Sequence, residues 1–438
     1  MSHTLLQELA GILRQAPLET SVLGPYVDLS LALGRPDDAV LAIERFVLLD
    51  PDPDRADRSA RRLDSLRRAL GAAGRRRLAP APADRPLNVL LASVSGPASI
   101  TTFYERAWRK HHRLVTFGPM RGHDYWKLYA DAFRGHAFYR EGAAEAWLEA
   151  SVRDTRPCDI VVDPGIVDMR DVLGRLPAGF TPDLLVWVDQ DRFNLPLNLH
   201  LVRCPTVALV GDSHLGLDWR RRYARQFDHV CVMYNRHHGS AFAAGGGETA
   251  WLPAACDPVI HAPDSPGPPA HDIAFVGSTH PELHARRVER IRRLQARGLE
   301  VYVDCRPPEA ASRIFAASRV VLNQSIGDDL NMRVFEGMAS GSLLVTNRLP
   351  AHSGIADLFT EGVHFVAYAD DDELEAVLRH YLDPAHEAER AAIAARGRAE
   401  VLARHTYDDR VREIVRLAAG GAAAARTGCS RPTASLPQ

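Results

Sequence analysis

No stretch of this sequence approaches the roughly 20 consecutive apolar residues that cross a bilayer. The amino terminus, Met1 to Glu8, carries neither the basic patch nor the long apolar run of a secretory signal. Both absences lead to the expectation of a cytoplasmic protein without an integral membrane segment. A charge excess is missing as well: 53 Lys and Arg stand against 55 Asp and Glu, for a net charge of −2. That balance argues against a nucleic-acid partner, which needs a basic field, and against the acidity of a disordered chain. Cysteine is scarce and dispersed. Cys158, Cys204, Cys231, Cys256, Cys305 and Cys429 form no Cys-x-x-Cys pair. Neither a zinc site nor a disulfide framework is indicated, and five of the six read as small buried hydrophobes in a reducing compartment. What is present is an ordinary soluble composition, 46% apolar and 25% charged over 438 residues. That length suits two main domains and an accessory segment.

Residues 1–74 read as helices only. Within them, Leu31 to Pro51 resembles the second half of one tetratricopeptide unit, with Gly34 at the turn, the small Ala39 and the closing Pro51. One such unit cannot bury its own apolar face, so it is expected to dock on the domain that follows or on a protein partner. Residues 75–86, rich in proline and arginine, read as a linker. A first α/β domain over 87–262 opens at Leu87 to Ser93, a continuous apolar run suited to a parallel strand covered on both faces. Further strands are expected at 159–162, 184–188, 206–210 and 229–233, with crossover helices between them. A hinge over 263–271 leads into a second α/β domain, 263–417, with strands opening at Asp272 and at 300–304, 319–322, 342–346 and 364–367. Residues 371–417 read as amphipathic helix. The tail, 418–438, lacks periodicity and reads as disordered.

The most informative stretch runs from Val321 to Thr346. Val334, Phe335, Met338 and Ala339 recur at helical spacing between two apolar strands. Asn331, Arg333 and Glu336 then occupy the start of that helix, where free N–H groups and the helix dipole favour an anion. Arg333 and Glu336 are also three apart, the spacing of a plain surface ion pair. The pattern Asn331-x-Arg333-x-Phe335-Glu336-x-Met338-Ala339-x-Gly341, with an apolar strand after it, resembles the donor-site helix of retaining glycosyltransferases of the two-Rossmann-domain (GT-B) kind. In particular it resembles the CgeB-like branch of glycosyltransferase family 1-type domains. Asp272 to Ser278 is similar to the opening strand and glycine turn of the nucleotide-binding half, and Trp251 to Pro258 to the passage joining the halves.

The resemblance implies an α/β fold of two Rossmann-like domains facing across a cleft, with a small helical segment in front. It implies a nucleotide-sugar donor as substrate and no cofactor. In the related families a Glu-x7-Glu motif places its second Glu, here Glu336, on the nucleotide ribose; the first position falls on Asp328, one methylene shorter. Phosphates are expected on the main-chain N–H groups of Gly277 and Ser278 and at the start of the 331 helix. Arg333, with Arg286 as second candidate, would neutralise the leaving diphosphate, because a guanidinium can grip phosphate through two parallel hydrogen bonds. Asn323 and Ser325, just past a strand, either touch the base or ribose or only shape the turn.

On the acceptor side, the Ser93-to-Thr102 loop, with Ser95 and Gly96, would face the donor phosphates. Asp212 and His214 follow the strand at 206–210, where such folds place active groups. They act on the transferred sugar or form an Asx-type turn. Asp189 and Asp191 end the strand at 184–188; one of them holds the acceptor or acts as base, or both cap the next segment. The neighbouring pairs His111-His112 and His237-His238 read as solvent-exposed. No metal site is expected. The expected activity is transfer of a sugar from a nucleotide-diphosphate donor to a protein, glycan or polymer acceptor, retaining and metal-independent. A sugar-nucleotide epimerase, or an inactive nucleotide-sugar-binding scaffold, is the alternative on the same fold.

Overall fold

The computed structural model describes residues 2–71, 80–82, 85–94, 96, 99–243, 248–263 and 268–420. Strands β1 (Asn88–Ala92), β2 (Arg113–Gly118), β3 (Ile160–Val161), β5 (Leu184–Val188), β7 (Thr206–Val210), β8 (His229–Val232) and β9 (Glu248–Trp251) form one sheet. Its seven strands run in the order β3-β2-β1-β5-β7-β8-β9. Between them, β4 (Gly165–Asp168) and β6 (Asn194–Leu197) pair as a separate two-stranded sheet. The second lobe holds β10 (His271–Val276), β11 (Val301–Asp304), β12 (Ser318–Asn323), β13 (Leu343–Asn347) and β14 (Val366–Tyr368), ordered β11-β10-β12-β13-β14. Every pairing in both large sheets is parallel. The sequence shows why: β5 and β7 are buried at every position, as a strand packed on both faces must be.

The lobes share apolar packing. Val334, Phe335 and Met338 of the helix Met332–Ala339 join Leu252, Ala254 and Cys256 of the first lobe in one cluster. Leu330 N–H also donates to Tyr234 O across the cleft at 3.0 Å. The last helix, Tyr407–Ala418, returns to the first lobe and packs on the helix Ile100–His111, with Tyr407 stacked on Phe103 at 5.2 Å. So the sequence segment assigned to the second domain ends, in space, against the first. A Thr406–Asp409 capping box starts that helix.

The helices Ser2–Gln15, Thr20–Ala32, Pro36–Leu49 and Pro53–Gly71 form the expected amino-terminal segment. It docks on the first lobe. Leu48 enters that lobe's core, buried Glu44 accepts from Asn198 N–H at 2.7 Å, and buried Asp38 pairs with Arg170 at 2.6 Å. Carboxylates this deep are costly unless fully partnered, so the docking is specific and not merely greasy. No helix among the described residues is long and apolar enough to cross a membrane. Cys158, Cys204, Cys231 and Cys256 are buried free thiols, as expected, with Cys305 half-buried; Cys429 and the 421–438 tail lie outside the described residues.

Candidate functional site

Open parallel sheets bind ligands outside the carboxyl ends of their strands, where the strand order reverses. In the first sheet that reversal falls between β1 and β5, in the second between β10 and β12. The loops leaving β10 and β12 carry Gly277-Ser278 and Asn323 to Asn331, the segments singled out from the sequence. Loops of the two lobes meet across the cleft at Leu330 N–H with Tyr234 O and at His214 over Gly327.

Arg333, on the first turn of the Met332–Ala339 helix, is the centre of the second lobe's share. Its Nε donates to Val276 O and its Nη1 to Asn323 Oδ1, each at 3.0 Å. The guanidinium lies over the Phe275 ring at 4.5 Å. Its third nitrogen, Nη2, occupies the space beside Gly277, where a Cβ would come within 2.1 Å of it. This is the physical reason for glycine at 277. Asn323, fully buried, also accepts from Asn331 Nδ2 at 3.2 Å and donates to Thr346 Oγ1 at 2.9 Å, so it orients Asn331 and Arg333. Ser325 is buried too, its N–H held by Asn347 Oδ1 at 2.7 Å. Asn331 occupies the N-cap without a side-chain cap bond, and its Oδ1 is buried with no partner. Arg286 is exposed on the outer side of the helix Ala285–Ala296. Its neighbour Arg287 turns inward instead, donating to Ser278 O at 2.8 Å and Gln324 O at 2.9 Å, and so ties the turns after β10 and β12 together. Burial, with Arg333 nearby, pushes the Arg287 pKa down to about 9.

Glu336, one turn beyond Arg333, borders a cavity of about 210 Å³ together with His261, Gly277, Ser278, Cys305 and Pro308. Burial pushes its pKa up to about 7, with Arg333 pulling the other way. His261, from the short helix Pro258–His261 that ends the first lobe, is 1% exposed. Its Nδ1 accepts from Asp257 N–H at 2.9 Å, which leaves the proton on Nε2, 3.7 Å from Glu336 Oε1. Burial holds this imidazole neutral, its pKa down to about 3. The opposite wall is aromatic: Tyr129 and Trp147 of the first lobe close over Cys305. Ala137 N–H donating to Thr279 O at 3.1 Å fixes that wall to the glycine turn.

From the first lobe, His214 packs over Gly327, and its Nδ1 lies 3.3 Å from Asn235 Oδ1. Asp212, at φ 40°, is exposed on its turn, while partial desolvation raises its pKa. Facing them is Asp329, buried, its pKa pushed up to about 6 by that burial. Asp328, at φ 60°, points outward, with His352 at 3.7 Å. Asp189 is held by Arg220 at 2.5 Å, both almost fully buried, while Asp191 is exposed on the turn beyond. Gly96 is covered by Trp126, whose ring would meet a Cβ at 2.4 Å; Ser95 lies outside the described residues.

The paired histidines divide: His111 and His237 are exposed, as expected, with His237 against His352, whereas His112, which accepts from Leu87 N–H at 3.1 Å, and His238, whose Nδ1 meets Ser213 Oγ at 2.8 Å, are half-buried. Those two are drawn in by neighbours distant in sequence. Sequence reading also passed over His261 and Arg287. Arg287 had a signal, since it shares the helical line of buried Ile291 and Leu294. Among the described residues, the one group spaced to hold a metal ion is His380, His386 and Glu389, none of which borders the cavity.

Residues 270–416, the second lobe with its site helix, match a protein family described as glycosyl transferase-like. No curated protein sequence matches the chain. Among solved structures, the chain is similar to Anabaena Alr3699/HepE in complex with UDP-glucose, at 14% identity and TM-score 0.47, covering 76% of this chain and 99% of that one. It is also similar to the sucrose-phosphate synthase of Thermosynechococcus elongatus, at 11% identity and TM-score 0.46, covering 76% and 98%. The spinosyn forosaminyltransferase SpnP is 13% identical, with TM-score 0.40, covering 76% and 99%.

Proposed function

We propose that the protein transfers a sugar from a nucleotide-diphosphate donor to an acceptor hydroxyl, with retention of anomeric configuration and without a metal ion. The observation that carries this reading is Glu336 at the rim of a cavity built on the carboxyl ends of β10 and β11, with Arg333 one turn earlier on the same helix beside Gly277. The match of residues 270–416 to a glycosyl transferase-like family supports it. Glu336 would accept hydrogen bonds from the ribose hydroxyls. The base would lie between Cys305-Arg306-Pro308 and the aromatic wall. The diphosphate would take the N–H groups of Gly277, Ser278 and the 332 helix, with Arg333 Nη2 beside it.

In the proposed reaction the bond from the anomeric carbon to the diphosphate oxygen breaks as the bond to the acceptor oxygen forms on the same face. The acceptor proton passes to the departing diphosphate. No strong protein base is needed, which suits a site where Asp189 is committed to Arg220. Arg333 stabilises the growing phosphate charge; His214 and Asp212 stand where the sugar's hydroxyls would lie. The docked helical segment extends the acceptor-side lobe, and we assign it a share in recognising a protein or polymer acceptor.

Donor turnover in the presence of EDTA tests the reading, with UDP-glucose as the first donor tried. Slow sugar release without acceptor supports a transferase. Epimer formation would instead mark a sugar-nucleotide epimerase, and neither product a binding protein. Loss of activity restored by magnesium or manganese would contradict metal independence.

A further inference from the structure

Among the described residues, Arg121 has no counter-charge. It lies between β2 and the helix His123–Ala132, at the carboxyl edge of the first sheet. Its guanidinium sits among three rings, 4.6 Å from the centre of Tyr125, 4.5 Å from Phe193 and 5.5 Å from Trp126. Its Nε is buried without an acceptor, and no carboxylate among the described residues pairs with it. The nearby acids are placed elsewhere: Asp189 with Arg220, Asp131 with Lys127, and Asp124 out in solvent beside His123. Aromatic faces offset part of the lost hydration of a guanidinium but leave its charge uncancelled. Burial accordingly holds the Arg121 pKa below its usual value.

The position of this charge is as telling as its isolation. Tyr129 stacks on Tyr125, ring centres 6.4 Å apart, and itself lines the donor cavity. Arg121 therefore stands about one to two helical turns, at about 5.4 Å each, from the wall of that cavity. That wall is the one assigned to the base, so the distance puts Arg121 on the cleft side of the first lobe, from which an acceptor would approach, and not beside the transferred sugar. Tyr125 and Phe193, both half-buried and set edge to face at 5.8 Å, flank the guanidinium with apolar surface suited to a pyranose face.

We propose that the first lobe binds an anionic group on the acceptor, a carboxylate or a phosphate, through Arg121, with Tyr125 and Phe193 contacting the acceptor ring. This rests on the transferase reading and names the chemistry of its acceptor. A guanidinium suits the task because it meets either anion with two parallel N–H groups.

The test uses the full-length protein with UDP present and three probes: 4-nitrophenyl β-D-glucuronide, the neutral 4-nitrophenyl β-D-glucoside, and glucose 6-phosphate, with glucose as its neutral reference. Binding is followed by isothermal titration and saturation-transfer NMR. At least one anionic probe should bind about tenfold or more tightly than its neutral counterpart; which one does so identifies carboxylate or phosphate. Arg121→Gln should abolish that preference with UDP affinity unchanged, and Arg121→Lys should retain part of it. No preference in the wild type, or a preference that survives Arg121→Gln, overturns the proposal. Failure of UDP to bind counts against the transferase reading instead, and the anion preference is then read without nucleotide.

Discussion

His261 presents its Nε2 to Glu336 Oε1 at 3.7 Å, across the junction between the end of the first lobe and the Met332–Ala339 helix of the second. The imidazole is neutral and sealed from water, so it acts as a fixed N–H aimed at a carboxyl group that burial has made hard to ionise. His261→Leu fills the same space without that donor. At 3.7 Å the N–H stands beyond hydrogen-bond distance of the carboxyl, so the change should weaken nucleoside-diphosphate affinity by no more than about threefold, while His261→Gln keeps more of it. Titration calorimetry on both variants decides; equal affinity in all three proteins would show the contact to be packing alone.

Glu336 also makes stability depend on pH. Its folded pKa, about 7, lies above the ordinary 4.5, so between those values the folded protein binds more protons than the unfolded chain. Stability contributed by this group therefore falls as pH rises from about 4.5 to 7. Glu336→Gln removes the fall. The variant should melt near the wild type at pH 4.5 and roughly 2 °C or more above it at pH 8. Parallel melting curves at every pH would mean that Glu336 ionises normally.

Gly277→Ala should act through Arg333. The new Cβ claims the place of Nη2, and the guanidinium, being the end of a side chain, yields before the backbone does. Turnover is expected to fall by on the order of 10²-fold, as when one preorganised charge-stabilising group is lost. Because φ at 277 is 154°, a conformation that residues with a Cβ rarely adopt, the melting temperature should fall as well. A variant with wild-type turnover would show that Arg333 does not serve the leaving diphosphate.

His214→Ala tests the acceptor-side wall. If the imidazole touches the transferred sugar in the transition state, transfer should drop by about 10²-fold or more with nucleotide affinity kept. Near-wild-type transfer would leave the 212–214 loop a structural turn, and Asp191 the next residue to examine.

The large features were legible because they rest on pattern. β5, β7 and the donor helix declare themselves by continuous apolar runs or a helical period, and the polar residues between them then fall at strand ends by arithmetic. β2 was not expected, because Arg113 and the half-buried Leu114 break its apolar run, and β4 and β6 are short strands paired only with each other. The site was legible where residues are neighbours in sequence, as with Asn331, Arg333 and Glu336. It was illegible where the fold brings in a single residue from afar. His261 gives no local sign that it faces Glu336, and Asp189 gives none that Arg220 has claimed it. Arg286 against Arg287 was a question of helix phase, settled by which arginine shares a face with Ile291 and Leu294.

The central claim is that Glu336 holds the ribose of a nucleotide in the cavity between the lobes. Calorimetry at pH 8 with UDP and 2′-deoxy-UDP, on wild type and Glu336→Ala, tests it as a cycle. The account predicts that removing either the hydroxyl or the carboxylate costs about 1.5–3 kcal/mol, the worth of a charge-assisted hydrogen bond, and that removing both costs little more than removing one. Losses that simply add, or a variant that binds UDP as well as the wild type, would contradict it.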